Sequence, residues 1–255
     1  YFTKVKTTSF RLIKMKDKLY QDESLVQFYD YDNERTSDYD QYLAIADKVE
    51  CVLDLGCGTG RLAVELAKQG KHVVGVEFAS AMLDVAKRRS SLVEWIQGDA
   101  RSIRLDQKFD LIILSGHVFQ VFLTKEDRLA VLETIKEHLS PKGRYIFDSR
   151  NPLAKDWLTW TKEESIRTFS HPLFGEVTAW NTIEGDAKEL IYSTFYIVEN
   201  TKDEYSAKSK ISFPTVNEIA TLVSEVGLGI ANVYGDWNFN LYTESSEEII
   251  WYGYV

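Results

Sequence analysis

Cysteine is nearly absent: Cys51 and Cys57 are the only two in 255 residues. They flank one short apolar run, which gives neither a disulfide framework nor a metal-ligand spacing. No metal is expected, and a reducing cytoplasm is the default compartment. Long apolar runs are missing too. No stretch approaches about 18 consecutive apolar residues, so no transmembrane helix is expected. The opening Tyr1-Phe-Thr-Lys-Val-Lys lacks the apolar core of a signal peptide. An excess of positive charge is also lacking, with 30 Lys and Arg against 39 Asp and Glu and a formal net charge of −9. That balance argues against broad phosphate binding and hence against a nucleic-acid partner. Lys4, Lys6, Arg11, Lys14, Lys16 and Lys18 form a local basic stretch, read as a solvated helix face.

What is present is an ordinary globular composition, 44% hydrophobic and 27% charged, on a chain long enough for one large α/β domain with an insertion. The chain is organised around residues 51–67. The apolar run Val52-Leu53 with Leu55 reads as a buried parallel strand. Gly56, Gly58 and Gly60 follow at once, and Leu62, Ala63, Leu66 and Ala67 then recur at helical spacing. Strand, glycine turn and helix form a nucleotide-binding corner, where missing Cβ atoms let a ligand approach the backbone. A dinucleotide fingerprint is G-x-G-x-x-G. Here the pattern is Asp54-x-Gly56-x-Gly58-x-Gly60, and Arg61 stands where the fingerprint's third glycine would fall.

Further elements follow in order. His72–Val76 reads as a second strand ending at Glu77, about 20 residues after the first glycine, where a strand-end carboxylate accepts from ribose hydroxyls. Phe78 and Met82 open the next helix. Leu92–Gln97 reads as a third strand before Gly98-Asp99-Ala100. Phe109–Leu114 is a fourth and Gly143–Asp148 a fifth, preceded by Leu139-Ser-Pro-Lys-Gly143. Over residues 51–148 these elements resemble, in order, the motifs of the class I S-adenosylmethionine (SAM)-dependent methyltransferases. The resemblance implies SAM as donor and S-adenosylhomocysteine as product. It also implies donor contacts at Asp54, Gly56, Cys57, Gly58, Gly60, Glu77, Phe78, Met82, Asp99, Ala100 and Ser115, with Asp99 receiving the adenine amino group. Tyr29-Asp30 resembles the "Y-D" element that small-molecule members carry ahead of the glycine turn. For Tyr29, a donor-side contact and simple packing stand level.

The segment Ser115–Phe122 leaves the carboxyl edge of a central strand, where ligands bind in open sheets. It lacks the N-P-P-Y or D-P-P-Y of the family's nucleobase-modifying members. His117, Phe119 and Gln120 are therefore acceptor-site candidates. His117 is the candidate general base, because imidazole titrates near neutrality, and a structural role is its alternative. Beyond Arg150-Asn-Pro152 the periodicity changes to alternation. Val177, Ala179 and Ile183 oppose Glu176, Thr178 and Glu184, and Leu190–Val198 is apolar on both faces. Residues 162–213 thus read as an antiparallel sheet inserted before the last helix, a probable cover over the acceptor with Trp180 or Tyr192 on its inner side. Thr215-Val-Asn-Glu218 is a capping box that restarts the core.

The expectation is a Rossmann-like α/β fold: a mostly parallel sheet with one antiparallel edge strand and a small inserted antiparallel sheet. Residues 1–50 form N-terminal helices, 51–161 and 214–255 the SAM-binding domain, and 162–213 the insertion. The function expected is methyl transfer to O or N of a small molecule. An RNA- or protein-modifying methyltransferase, a non-catalytic SAM-binding protein and a NAD-linked oxidoreductase are the alternatives. Arg61 and Asp99 weigh against the last.

Overall fold

A computed structural model describes residues 17–33, 36 and 38–255. Of the N-terminal helices expected over residues 1–50, the part up to residue 16 lies outside them, as does the basic stretch except Lys18. Three helices come first: α1 (Lys18–Gln21), α2 (Glu23–Asp32) and α3 (Asp38–Ala46). Asp17 and Asp22 cap α1 and α2 by accepting from backbone amides two residues on. Then β1 (Cys51–Leu55), α4 (Arg61–Lys68), β2 (His72–Glu77), α5 (Ser80–Arg89), β3 (Glu94–Gln97), β4 (Phe109–Leu114), α6 (Lys125–His138) and β5 (Leu139–Arg150) alternate. Among the described residues no helix is long and apolar enough to cross a membrane.

The third strand starts at Glu94 rather than Leu92, which is largely exposed. The fifth runs back to Leu139, so the segment expected as a turn is itself extended, and the pairing with β4 shifts register between Phe109 and Leu111. The short α7 (Lys162–Ser165) leads into β6 (Arg167–His171), β7 (Gly175–Gly185), β8 (Leu190–Val198) and β9 (Glu204–Ile211). These four pair antiparallel in that order. The chain returns through α8 (Val216–Glu225), opened by the reciprocal Thr215–Glu218 capping box, to β10 (Gly229–Tyr234) and β11 (Glu248–Tyr254).

The large sheet has seven strands in the order β10-β11-β5-β4-β1-β2-β3. β1 to β5 pair parallel, while β11 runs antiparallel to both β5 and β10. Strand order reverses between β1 and β4, and the crevice beyond their carboxyl ends is where an open α/β sheet takes its ligand. Helices on both faces bury the strands, which is why β4 reads as a nearly continuous apolar run.

Helix α2 joins the two sheets. Phe28 is fully buried against Val177, Ala179, Tyr196 and Ala207 of the small sheet. Val26 and Tyr29 pack on Ala79 and Met82 at the start of α5. Asp30 accepts from the Thr59 hydroxyl at 2.7 Å and pairs with Arg89, which ties α2 to the glycine turn. Asp32 makes a two-pronged ion pair with Arg167, at 2.5 and 2.6 Å, and accepts from the Tyr196 hydroxyl at 3.0 Å. Its side chain is only 4% exposed, against 36% for Arg167. Losing the carboxylate therefore strands one partly wet cation and one buried phenol, a loss below the about 3–5 kcal/mol of a fully buried pair and close to that of unsatisfied buried polar groups, about 2–3 kcal/mol. Asp32→Ala is expected to lower unfolding stability by that amount in urea titration. Replacing the exposed Asp84 by Ala should change it by less than about 0.5 kcal/mol.

Candidate active site

Three strand ends set the donor side. The glycine turn starts with the Gly56 and Cys57 amides donating to the Val76 carbonyl at 2.8 and 3.0 Å, which seats it on the end of β2. Gly60 sits at φ +76°, and a Cβ there would lie 2.3 Å from the Trp95 ring, so only glycine lets α4 begin this close to β3. Gly58, at φ +55°, meets nothing within 4 Å, so its missing side chain leaves open space in front of the turn.

Glu77 closes the turn: its carboxylate accepts from the Gly58 amide at 2.9 Å and the Ala79 amide at 2.8 Å. Burial still raises its pKa, against the lowering by those amides. Asp54 is 1% exposed, and among the described residues neither of its oxygens has a hydrogen-bond partner. Burial, reinforced by the charge of Glu77, pushes it up to about 7. An orphaned buried carboxylate beside a second acid and an open glycine turn suits a cationic ligand, since each acid is relieved by positive charge. The residues present thus fit a sulfonium donor that also carries an ammonium group. Met82 is buried, Phe78 is 40% exposed, and Ala100 and Ser115 lie at the same strand ends, buried and half-buried.

Asp99 departs from expectation. Arg101 grips both of its oxygens, with Nη2 at 2.6 Å from Oδ2, and reaches Asp127 with Nη1 at 2.8 Å. Burial raises the Asp99 pKa, but the Arg101 hydrogen bonds outweigh it and hold the carboxyl below its usual value. The adenine contact expected of Asp99 therefore meets a carboxylate already saturated by a guanidinium.

The side expected to take the acceptor lies beyond β4 and β5. His117 adopts a left-handed backbone, φ 61°, which aims its amide at Asp148 Oδ2 at 3.0 Å. Its Nε2 lies 2.9 Å from both Glu248 oxygens and 3.3 Å from Asp148 Oδ2. Tyr42 donates to Asp148 Oδ1 at 3.2 Å. Burial drives His117 down, helped by the Arg150 charge, and drives both carboxyls up. His117, the candidate general base with a structural role as its alternative, is joined through Nε2 to two acids that residue pattern did not single out. Asp148 lies near the carboxyl end of β5 as Asp54 lies near that of β1, and that shared position was the available signal. Glu248 had none: it reaches the site because β11 pairs it opposite Arg150.

Phe119 and Gln120 are corrected as acceptor contacts. Phe119 is fully buried and stacks on Phe147 at 4.6 Å. Gln120 is fully buried because its groups are spent on Ser212 O and on Arg150, at 2.9 and 3.1 Å. Trp180 and Tyr192 part company. Trp180 pairs with Phe195, stacked at 5.1 Å, and Tyr192 with Ile183, so strand alternation places them on opposite faces. Trp180, capped by Lys162 at 4.4 Å, is on the outer face. Tyr192 is inside: its hydroxyl is 2.7 Å from that of Tyr20, and Trp160 packs edge-on at 6.1 Å. Tyr20 meets Tyr29 at 6.1 Å, and Arg150 lies over Trp160 at 5.1 Å. Tyr29, Tyr20, Tyr192, Trp160 and Arg150 thus make one continuous row of contacts, from the Met82 end of the cleft to a guanidinium whose charge is felt at His117.

Residues 52–143 match the family model described as a methyltransferase domain. A cypemycin N-terminal methyltransferase from Streptomyces is 28% identical over 203 residues, 78% of this chain and 80% of its own. A S-adenosylmethionine-dependent methyltransferase from Clostridium acetobutylicum superposes with a TM-score of 0.75 at 16% identity, covering 88% of this chain and 93% of its own. The sugar N-methyltransferase KedS8 from Streptoalloteichus gives 0.74 at 14% identity, covering 98% of each. Residues 52–143 are thus a methyltransferase domain, and the chain is an enzyme whose methyl donor is S-adenosylmethionine.

Asp54 gives the site a pH signature. A folded-state value raised to about 7 favours the protonated acid. Its contribution to stability is full below the unfolded value near 4 and is lost as pH rises through about 7. Without donor, the melting temperature is expected to fall across pH 4–7. Asp54→Asn should flatten that slope and be the more stable protein at pH 8. An equal slope in both proteins would show that Asp54 is not the titrating acid.

Proposed function

We propose that this S-adenosylmethionine-dependent methyltransferase methylates an amine nitrogen of a small molecule held under the inserted sheet. The observation that carries the reading is the wall of Tyr20, Tyr29, Trp160 and Tyr192 between the two sheets, with carboxylates at both ends. Aromatic faces attract an ammonium, and nearby carboxylates reinforce the attraction. They offer little to a phosphate-rich or polyanionic substrate.

Bound SAM supplies a methyl carbon on a positively charged sulfur, open to in-line attack by a lone pair. The chain's own task is to position and to exclude water. Asp54 meets the positive end of the donor, Glu77 accepts from its ribose hydroxyls, and the glycine turn admits it to the backbone. Tyr29, from α2, and Tyr192, from β8, bracket the acceptor. An amine leaving its proton behind has the His117–Asp148–Glu248 cluster as a set of bases on that side. The names of the Streptomyces relative, which acts on an N-terminus, and of KedS8, a sugar N-methyltransferase, agree with nitrogen as the target.

Calorimetry should show binding of SAM and S-adenosylhomocysteine and none of NAD. Glu77→Ala should weaken SAM about 10- to 150-fold, the loss of charge-assisted hydrogen bonds of about 1.5–3 kcal/mol. With SAM present, a panel of amino sugars and short peptides with free N-termini should yield N-methylated product by mass spectrometry, and Tyr192→Ala should reduce it. Methylation confined to hydroxyl acceptors in a matched panel would overturn the amine assignment while leaving the donor site intact.

A further inference from the structure

We infer that His117, Asp148 and Glu248 form a binding site for one divalent transition-metal ion on the acceptor side of the cleft. The three come from the loop after β4, the end of β5 and the start of β11, and one donor atom from each lies within 4.8 Å of the others. The imidazole Nε2 is 2.9 Å from the Glu248 oxygens and 3.3 Å from Asp148 Oδ2. Metal–ligand bonds of about 2.0–2.2 Å meeting near a right angle separate two donors by about 3 Å. The cluster therefore needs little movement to close on an ion.

The charge points the same way. Two carboxylates sit together at half-buried or buried positions, and their only ion-pairing partner among the described residues is that imidazole. The Arg150 guanidinium is already committed, with Nη1 at 3.1 Å from Gln120 and Nε at 3.1 Å from Asp156. Asp156, ion-paired with Arg150 through Oδ2 and with its Oδ1 unpartnered among the described residues, adds a further negative charge that is felt by both His117 and Glu248.

One imidazole with two carboxylates suits Mn²⁺, Fe²⁺ or Zn²⁺ better than the all-oxygen preference of Ca²⁺. Three protein donors leave positions open for water or for the acceptor's heteroatom. Tyr42 and the His117 amide orient Asp148 from behind, as outer partners of metal ligands do.

The test uses the full chain, stripped with chelator and titrated with Mn²⁺ followed by spin resonance and calorimetry. One equivalent per chain is expected, with electron spin-echo modulation from a single imidazole nitrogen. Glu248→Gln and His117→Gln should each weaken Mn²⁺ at least 10-fold while SAM affinity, measured alongside, holds. The inference falls if wild type takes up neither Mn²⁺ nor Zn²⁺. It also falls if the imidazole modulation is absent, or if both variants bind Mn²⁺ like wild type. SAM binding in those cases would leave the methyltransferase reading standing, with the cluster a hydrogen-bonded network only.

Discussion

Carboxylates held out of water along the carboxyl edge of the large sheet are the constraint that the rest of the molecule answers. Burying an acid without a partner is unfavourable by several kcal/mol. Yet among the described residues Asp54 is buried with neither oxygen satisfied, and Glu77 is held by backbone amides, those of Gly58 and Ala79 among them. Such a site is poorly stable by itself and well matched to positive charge. The glycine turn, the seat on Val76 and the packing of Trp95 beneath Gly60 all serve to keep these acids in place. Where a cation is built in, as with Arg101 on Asp99, the acid is quieted and removed from ligand duty. The sheet edge therefore divides into acids already neutralised by the chain and acids left for something else to neutralise.

The insertion and the first helices make sense against that edge. The small sheet buries its inner face on α1, α2, Trp157 and Phe213. It is also tied to the loop after β4 through reciprocal bonds between Gln120 and Ser212 at 2.9 and 3.0 Å. Its outer face is left with Trp180 and Phe195 stacked on each other under Lys162, half-exposed and away from the cleft.

Much of this was legible from residue pattern, and the illegible part has a common cause. The core strands, the capping box at Thr215 and the alternation of Val177, Ala179 and Ile183 are local signals, and the structure follows them closely. The donor acids were legible because they stand next to their own glycine turn or at the end of their own strand. Trp180 and Tyr192 could not be sorted from a list of aromatic residues. Which face each occupies depends on register across the β7–β8 turn, where a shift of one residue exchanges the faces. Phe119 and Gln120 looked like lining residues because polar and aromatic side chains after a central strand usually are. Here they are consumed by packing on Phe147 and by bonds to Ser212. Glu248 and Arg101 needed strand pairing and a reach across the fold, which no spacing in the chain records.

Helix α2 carries a consequence of its own. Asp30 fastens it to the glycine turn, Tyr29 and Phe28 pack it toward the two ligand sides, and Asp32 fastens it to β6 and β8. Because the small sheet is independently laced to the loop after β4, it does not swing as a free flap. A single rod fastened at both ends is a strut rather than a hinge: it sets the spacing between the glycine turn and the small sheet, so a displacement at either anchor is carried to the other.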